Sequence, residues 1–254
     1  MIASLPMYWR AETAALWQTF WSHVQTAHDG PLPDLTPPEA LPQNWAEHWL
    51  DPALALSMTC SLPFRTALRG KVTYVGTLGY GLKAPPGMYY SCVITRPDTM
   101  LMTNDQPTRP PARRATLAYN SADSQSGWAV TQAAAPFGAP LQIGKVVETG
   151  GHAQSLAAVA AGRADVAYLD AVTWRLLKRY DPDAQRVIPK GSTDPTPGLP
   201  LICAKGRDPE PLRAAVHAAT TAFAPQDPMA MGGPLSFHVL DEAAYLSQPI
   251  PTPP

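Results

Sequence analysis

The chain has 254 residues, a formal net charge of −1, 45% hydrophobic residues and 15% charged residues. That length suits one large α/β domain or two lobes of ordinary size, and the apolar share can supply a sizeable core. The near-zero charge gives no electrostatic basis for binding nucleic acid or an anionic membrane. No apolar run approaches the roughly 18 residues of a membrane span, so we expect no membrane insertion.

In the first part of the chain, predicted strands alternate with helices. Residues 2–5 form a strand, and apolar residues at helical spacing predict a helix over 12–24. A buried strand over 54–58, a helix from Pro63 and a strand over 72–75 follow. This order predicts βαβ units and a largely parallel sheet.

The second part begins after the longest predicted strand, at 88–95. The polar, proline-rich sequence over 97–113 indicates that the chain passes here from the first domain to the second. The strand–helix pattern restarts at Thr116. A helix over 127–135 is next. Further strands and helices continue to a final short helix over 241–246.

The 30 prolines are more than twice the usual share of roughly 5%. They cluster at 31–42, 107–111, 195–200 and 249–254. Because proline interrupts helices and sheet ladders, we interpret these clusters as connectors and, at 249–254, a loose tail.

The three cysteines, Cys60, Cys92 and Cys203, lie in apolar extended runs. An odd, scattered set argues against a disulfide framework and against a zinc site, so we expect buried thiols. A Cys92–Cys203 bridge would require their two strands to be adjacent.

The loop Asp123-Ser124-Gln125-Ser126-Gly127 lies between a predicted strand and a predicted helix. Small hydroxyl residues at a helix start leave several backbone N–H groups free and direct the positive end of the helix dipole outward. That arrangement favours an anion with oxygen acceptors, such as phosphate, phosphonate or carboxylate. The alternative is that Asp123 or Ser124 simply caps the helix.

Two further residues are candidates for the same chemistry. His152 lies in a glycine-flanked turn that begins a helix, where it could donate a hydrogen bond to an anion or cap the backbone. Asp170 ends a strand, where open α/β sheets place ligand contacts, although it could instead cap the helix containing Thr173. The other five histidines show no partner pattern.

Catalytic templates fit the sequence poorly. There is no G-x-S-x-G, H-E-x-x-H, Walker A or G-x-G-x-x-G motif. Cys60 near a helix start could be a nucleophile, but its base would have to come from a distant histidine. We therefore expect no catalytic residue, no metal site and no cofactor.

Three segments together resemble one family. They are LAYNSADSQSGW at 117–128, TGGHAQSLAAV at 149–159 and GRADVAYLD at 162–170. In this order they resemble the PhnD-type phosphate/phosphonate substrate-binding proteins of ABC transporters. The resemblance covers about residues 50–204. At the two ends of the chain it consists mainly of the same order of strands and helices.

The resemblance implies a type II periplasmic-binding-protein fold, with two α/β lobes and a ligand cleft between them. Crossovers near 91–96 and 196–203 would divide the chain into lobe I, at 1–93 and 197–254, and lobe II, at 94–196.

The resemblance also implies the site residues. The anionic head group would be held by Ser124, Gln125 and Ser126, with His152 helping to bind it. Asp170 would face the other end of the ligand, which favours an amine such as that of an aminophosphonate. The first lobe would line the cleft with Tyr8, Tyr80 and Tyr89. Gln125 departs from the family, which has a small hydroxyl residue there, so the exact anion stays open.

The resemblance implies a monomeric, non-enzymatic solute-binding protein, with a small phosphonate- or phosphate-like anion and an ABC permease as partners. The family is periplasmic, but no signal sequence precedes Ile2 in the sequence as written, which leaves the cytoplasm open. Two alternatives remain. One is a cytosolic enzyme on the same fold, similar to thiamine-pyrimidine synthases, in which His152 or Cys60 reacts. The other is a ligand-sensing module of a regulator or kinase.

Overall fold

The structure is a computed structural model, and it describes residues 1–105 and 114–254. The proline cluster at 107–111, interpreted above as a connector, lies outside the described residues, as does the end of the polar segment at 97–113. Among the described residues, no helix is both long and apolar enough to cross a bilayer.

The described strands, in chain order, are β1 (Ile2–Ser4), β2 (Leu54–Met58), β3 (Val72–Gly79), β4 (Met88–Tyr89), β5 (Ser91–Thr95), β6 (Ala115–Tyr119), β7 (Ile143–Glu148), β8 (Val166–Asp170), β9 (Ile188–Ser192), β10 (Thr196–Pro197), β11 (Pro200–Ala204) and β12 (Ser236–His238). The predicted strand over 88–95 is therefore divided into β4 and β5, with Tyr90 between them.

The described α-helices are α1 (Ala14–Ala27), α2 (Trp45–Trp49), α3 (Ser61–Arg65), α4 (Val130–Ala133), α5 (His152–Ala160), α6 (Ala171–Tyr180), α7 (Glu210–Ala222) and α8 (Glu242–Leu246). Most of the predicted helices are present. The apolar residues that predicted α1 belong to the core, since Trp17, Phe20 and Trp21 are almost completely buried.

The chain divides into two compact units. Unit 1 contains Met1–Met88 and Pro197–Gln248, and unit 2 contains Tyr89–Thr196 and Pro249–Pro254. The predicted boundary at 93 differs, because it falls inside β5, whose ladder partners β8 and β9 both belong to unit 2. The predicted assignment of 249–254 to the first lobe differs as well, because these residues pack within unit 2.

Each unit contains a five-stranded sheet of mixed direction. The strand order is β1-β2-β11-β3-β12 in unit 1 and β7-β6-β8-β5-β9 in unit 2. Among the described strands of these two sheets, the pairs β1–β2, β6–β7 and β6–β8 are parallel, and the other five pairs are antiparallel. The expectation of largely parallel sheets was therefore wrong. In each sheet, one strand comes directly after the chain has passed from the other unit: β11 in unit 1 and β5 in unit 2. Both strands run antiparallel to their neighbours. A parallel neighbour would instead require a crossover connection, usually a helix.

All three cysteines are free thiols. Cys92 and Cys203 are buried, as expected, and burial raises the pKa of each thiol to about 11. They lie in different units, on β5 and β11. Cys60 is half-buried at the start of α3, so the expectation of a buried thiol was wrong there.

Candidate functional site

The loop at 123–127 starts a helix in unit 2. Ser124 is the N-cap residue, and its Oγ accepts the Gly127 N–H at 3.0 Å. The helix begins as one π-helical turn, Gln125–Ala129, and continues as α4. It therefore starts two residues before the predicted position. π-Helical turns are rare in proteins, and many of those that do occur lie at functional sites.

The side chain of Asn120 leaves no room for a side chain at Gly127. A Cβ atom at Gly127 would lie 1.9 Å from Asn120 Oδ1, which is far too close for two heavy atoms. Asn120 Oδ1 is buried and has no hydrogen-bond partner among the described residues. The close approach explains why the loop requires glycine here, even though the backbone of Gly127 is not left-handed.

The turn before α5 forms a second helix start in unit 2. Its N-cap residue is Gly151, which has no side chain to satisfy the first N–H groups of the helix. The N-terminal end of α5 therefore carries the partial positive charge of the helix dipole without a side-chain cap. Ser126 Oγ and His152 Nε2 lie 2.9 Å apart, and this hydrogen bond joins the two helix starts.

His152 is a neutral imidazole in this environment. Burial lowers its pKa to about 4, from an ordinary value of 6.5. A neutral imidazole has one N–H donor and one acceptor nitrogen. Nε2 bonds with Ser126, whereas Nδ1 is buried and has no partner among the described residues. Within the described ranges, one of the two ring nitrogens therefore has a hydrogen-bond partner and the other has none.

Ser91, at the start of β5, was not predicted as a site residue. Its Oγ donates to the backbone oxygen of Ser126 at 2.9 Å, and its N–H donates to Thr193 Oγ1 at 3.0 Å. No local motif marks Ser91 in the sequence. Only the register of the sheet brings it to the loop, since it lies directly opposite Asp170 in the β5–β8 ladder.

Asp170 ends β8 and caps α6. Its Oδ1 accepts the N–H groups of Val172 and Thr173, at 2.7 and 3.0 Å, and the residue is buried. The capping alternative is therefore present in the structure. The ligand-facing role of Asp170 stays a prediction.

The three predicted tyrosines are divided between the units. Tyr8 and Tyr80 belong to unit 1, where their rings meet edge to face with centroids 5.0 Å apart. Tyr89 belongs to unit 2, on β4, and not to the first lobe as predicted. All three rings are buried, as is Gln125 in the π-helical turn.

A second histidine has a serine partner, contrary to the prediction. His48, on α2, is buried, and its Nε2 lies 2.7 Å from Ser4 Oγ. Ser4 Oγ also lies 2.8 Å from Ser57 Oγ on the neighbouring strand. His238 similarly lies 2.8 Å from Ser236 Oγ. The Ser4–His48 contact spans 44 residues, so no local pattern could have indicated it.

Several solved structures are similar to this chain, including the following three. PhnD1 from Prochlorococcus marinus, in complex with methylphosphonate, has a TM-score of 0.66 and 12% identity, over 96% of this chain and 94% of that one. A binding protein component of an ABC phosphonate transporter from Pseudomonas aeruginosa has a TM-score of 0.64 and 12% identity, over 96% and 82%. A Xanthomonas citri protein bound to ATP has a TM-score of 0.62 and 14% identity, over 96% and 92%.

At these identities the structural similarity shows the fold, which is the predicted type II periplasmic-binding-protein fold. A comparison with curated proteins finds no match. The model of one family does match, over residues 72–242, which is more than half of the chain. Its matched region includes the loop at 123–127, His152 and Asp170. The chain therefore belongs to the family of periplasmic substrate-binding proteins of phosphonate ABC transporters, and its role is that of a solute-binding protein.

Proposed function

We propose that this protein binds a small phosphonate- or phosphate-like anion and holds its head group at the two helix starts of unit 2. The observation that carries the proposal is the 2.9 Å hydrogen bond between Ser126 and His152, which brings these two helix starts together. Methylphosphonate is the first ligand to test, because PhnD1 was solved in complex with it.

The physical basis is local and does not depend on net charge. A chain with a net charge of −1 has no broad basic field to attract an anion. Two helix N-termini supply backbone N–H donors and positive dipole ends, and the Ser126 hydroxyl adds a further polar group. Fixed dipoles of this kind can replace the water that an anion loses on binding.

His152 is proposed to contact the head group through Nδ1. Since that atom is buried and has no partner in the described part of the chain, a ligand oxygen there would restore the hydrogen bond that burial otherwise removes. Asp170 is proposed to face the other end of the ligand, where it favours an amine. Tyr8, Tyr80 and Tyr89 are proposed as further ligand contacts.

Binding without chemistry agrees better with this geometry than the enzymatic alternative does. A serine within hydrogen-bond distance of a histidine resembles a nucleophile and its base. Such pairs normally have a third group that orients the histidine, and Nδ1 of His152 has no such partner among the described residues. We therefore propose a non-enzymatic protein that delivers its ligand to an ABC permease in the periplasm.

Calorimetric titration of the dialysed protein tests this function. The titrants are methylphosphonate, 2-aminoethylphosphonate, inorganic phosphate, methanesulfonate and acetate. We expect saturable binding of at least one phosphonate or phosphate. The aminophosphonate should bind most tightly if Asp170 contacts an amine. Absence of binding by all five anions would refute the proposed head-group site, and phosphorus NMR showing turnover would favour the enzyme.

A further inference from the structure

The segment Pro249–Pro254, predicted as a loose tail, is held by unit 2. Three hydrogen bonds meet at Thr252. Its backbone oxygen accepts from Trp128 Nε1 at 2.9 Å and from Gln132 Nε2 at 2.7 Å, and its N–H donates to Gln132 Oε1 at 2.8 Å. The amide of Gln132 therefore pairs with both backbone groups of one residue.

Trp128 links this segment to the core of unit 2. Its ring is buried and packs against Tyr119, with centroids 4.9 Å apart. The indole N–H is the only hydrogen-bonding group of a tryptophan side chain, and a buried one usually finds an acceptor. Here the acceptor is Thr252, more than 120 residues away in the chain. Without Pro249–Pro254, the side chain of Trp128 would lose this partner.

Trp128 and Gln132 are four residues apart on the helix that begins at the proposed anion site. Trp128 belongs to the π-helical turn Gln125–Ala129 and follows Ser126 by two residues. The segment Pro249–Pro254 thus contacts the same short helix whose first turn carries the hydroxyl bonded to His152. A helix this short gains little from its own hydrogen bonds and depends on contacts of this kind.

We infer that Pro249–Pro254 is a positioning element for the anion site, acting through Trp128 and Gln132 on the helix that carries Ser126. This inference rests on the proposed function. The segment does not contact the ligand in this scheme. It holds the first turn in the geometry that aligns Ser126 with His152, and it lowers the cost of ordering that turn when an anion binds.

Two truncated chains test the inference. One ends at Gln248 and lacks the whole segment, and the other ends at Thr252 and lacks only the exposed Pro253 and Pro254. Methylphosphonate affinity is measured by calorimetry, and amide hydrogen exchange is measured over 124–133. We expect the longer truncation to weaken binding roughly tenfold and to speed exchange over 124–133 by a similar factor. The shorter truncation should change neither.

If the longer truncation fails to fold, the variants Trp128→Phe and Gln132→Ala test the inference instead, because each removes a side-chain partner of Thr252. Trp128→Phe retains an aromatic ring but removes the N–H donor, so it should weaken binding severalfold while the rest of unit 2 exchanges normally. Unchanged affinity overturns the inference, even if exchange becomes faster, because the segment would then be only structural. If the unaltered protein binds none of the five anions, the proposed function fails. Separately, unchanged hydrogen exchange over 124–133 in the longer truncation shows that Pro249–Pro254 does not stabilise this helix, and this overturns the inference.

Discussion

Each unit contains a buried serine that contacts a histidine, and the two pairs differ in their surroundings. In unit 1, Ser4 Oγ lies 2.7 Å from His48 Nε2 and 2.8 Å from Ser57 Oγ, and all three residues are almost fully buried. In unit 2, Ser126 Oγ lies 2.9 Å from His152 Nε2. The distances and atom types are nearly the same.

The difference lies in what surrounds each pair. Ser4 and Ser57 lie on neighbouring parallel strands, and the Ser4 hydroxyl already has two partners. Ser126 and His152 lie at two helix starts, and His152 Nδ1 has no partner among the described residues. The comparison teaches that a serine–histidine contact alone does not mark a site. Helix starts and an unsatisfied polar atom distinguish the pair in unit 2.

The largest effect should come from removing the unit 2 pair. The double variant Ser126→Ala/His152→Ala should weaken methylphosphonate binding roughly a thousandfold, about 4 kcal/mol, because hydrogen bonds to a charged group contribute about 1.5–3 kcal/mol each. Calorimetry measures the affinity, and circular dichroism checks folding.

Ser4→Ala is the matched control for that variant. It should cost about 1–2 kcal/mol of unfolding free energy, because it leaves buried partners unsatisfied, yet leave anion affinity unchanged. Equal losses of affinity in Ser4→Ala and in the double variant Ser126→Ala/His152→Ala would contradict the distinction between the two pairs.

Acid should destabilise the protein partly through His152. Its pKa is about 4 when folded and near 6.5 when unfolded, so the unfolded state binds more protons between these values. The contribution of neutral His152 to the free energy of unfolding is therefore fully present above pH 6.5 and is lost as the pH falls toward 4, by roughly 3 kcal/mol. Urea unfolding across this range should show a shallower loss in His152→Gln than in the unaltered protein.

His48→Gln provides the comparison in unit 1. Burial also lowers the pKa of His48, so its replacement should reduce the acid sensitivity in the same direction. We expect the smaller change for His48, since a nearby aspartate, Asp51, opposes the effect of burial there. If the two variants changed the pH profile equally, the environments of the two histidines would be more alike than the contacts indicate.

A local steric effect should follow Gly127→Ala, at about 2 kcal/mol of unfolding free energy. The added methyl group would overlap Asn120 Oδ1. Asn120→Ala removes the obstructing atom, so Gly127→Ala should cost much less in that background and could even stabilise the helix. A double-mutant cycle in urea measures the coupling, and additive costs would show that Asn120 is not the obstacle.

The sequence determined the local features of this protein. Hydroxyl and glycine residues at 123–127 and at 150–152 indicated two helix starts, since capping and turn preferences depend on neighbouring residues. Apolar spacing likewise predicted α1 and β2. The family followed from three such segments taken together, because their order along the chain is more specific than any one of them.

Only the tertiary structure decided which of these features meet. The contacts of Ser126 with His152, of Ser91 with Ser126 and of Thr252 with Trp128 join residues 26 to 124 positions apart. Sheet register and packing set such contacts, and neither has a local signal. For the same reason the sequence could not show that His48 is bonded to Ser4, or that the proline-rich segment 249–254 belongs to unit 2.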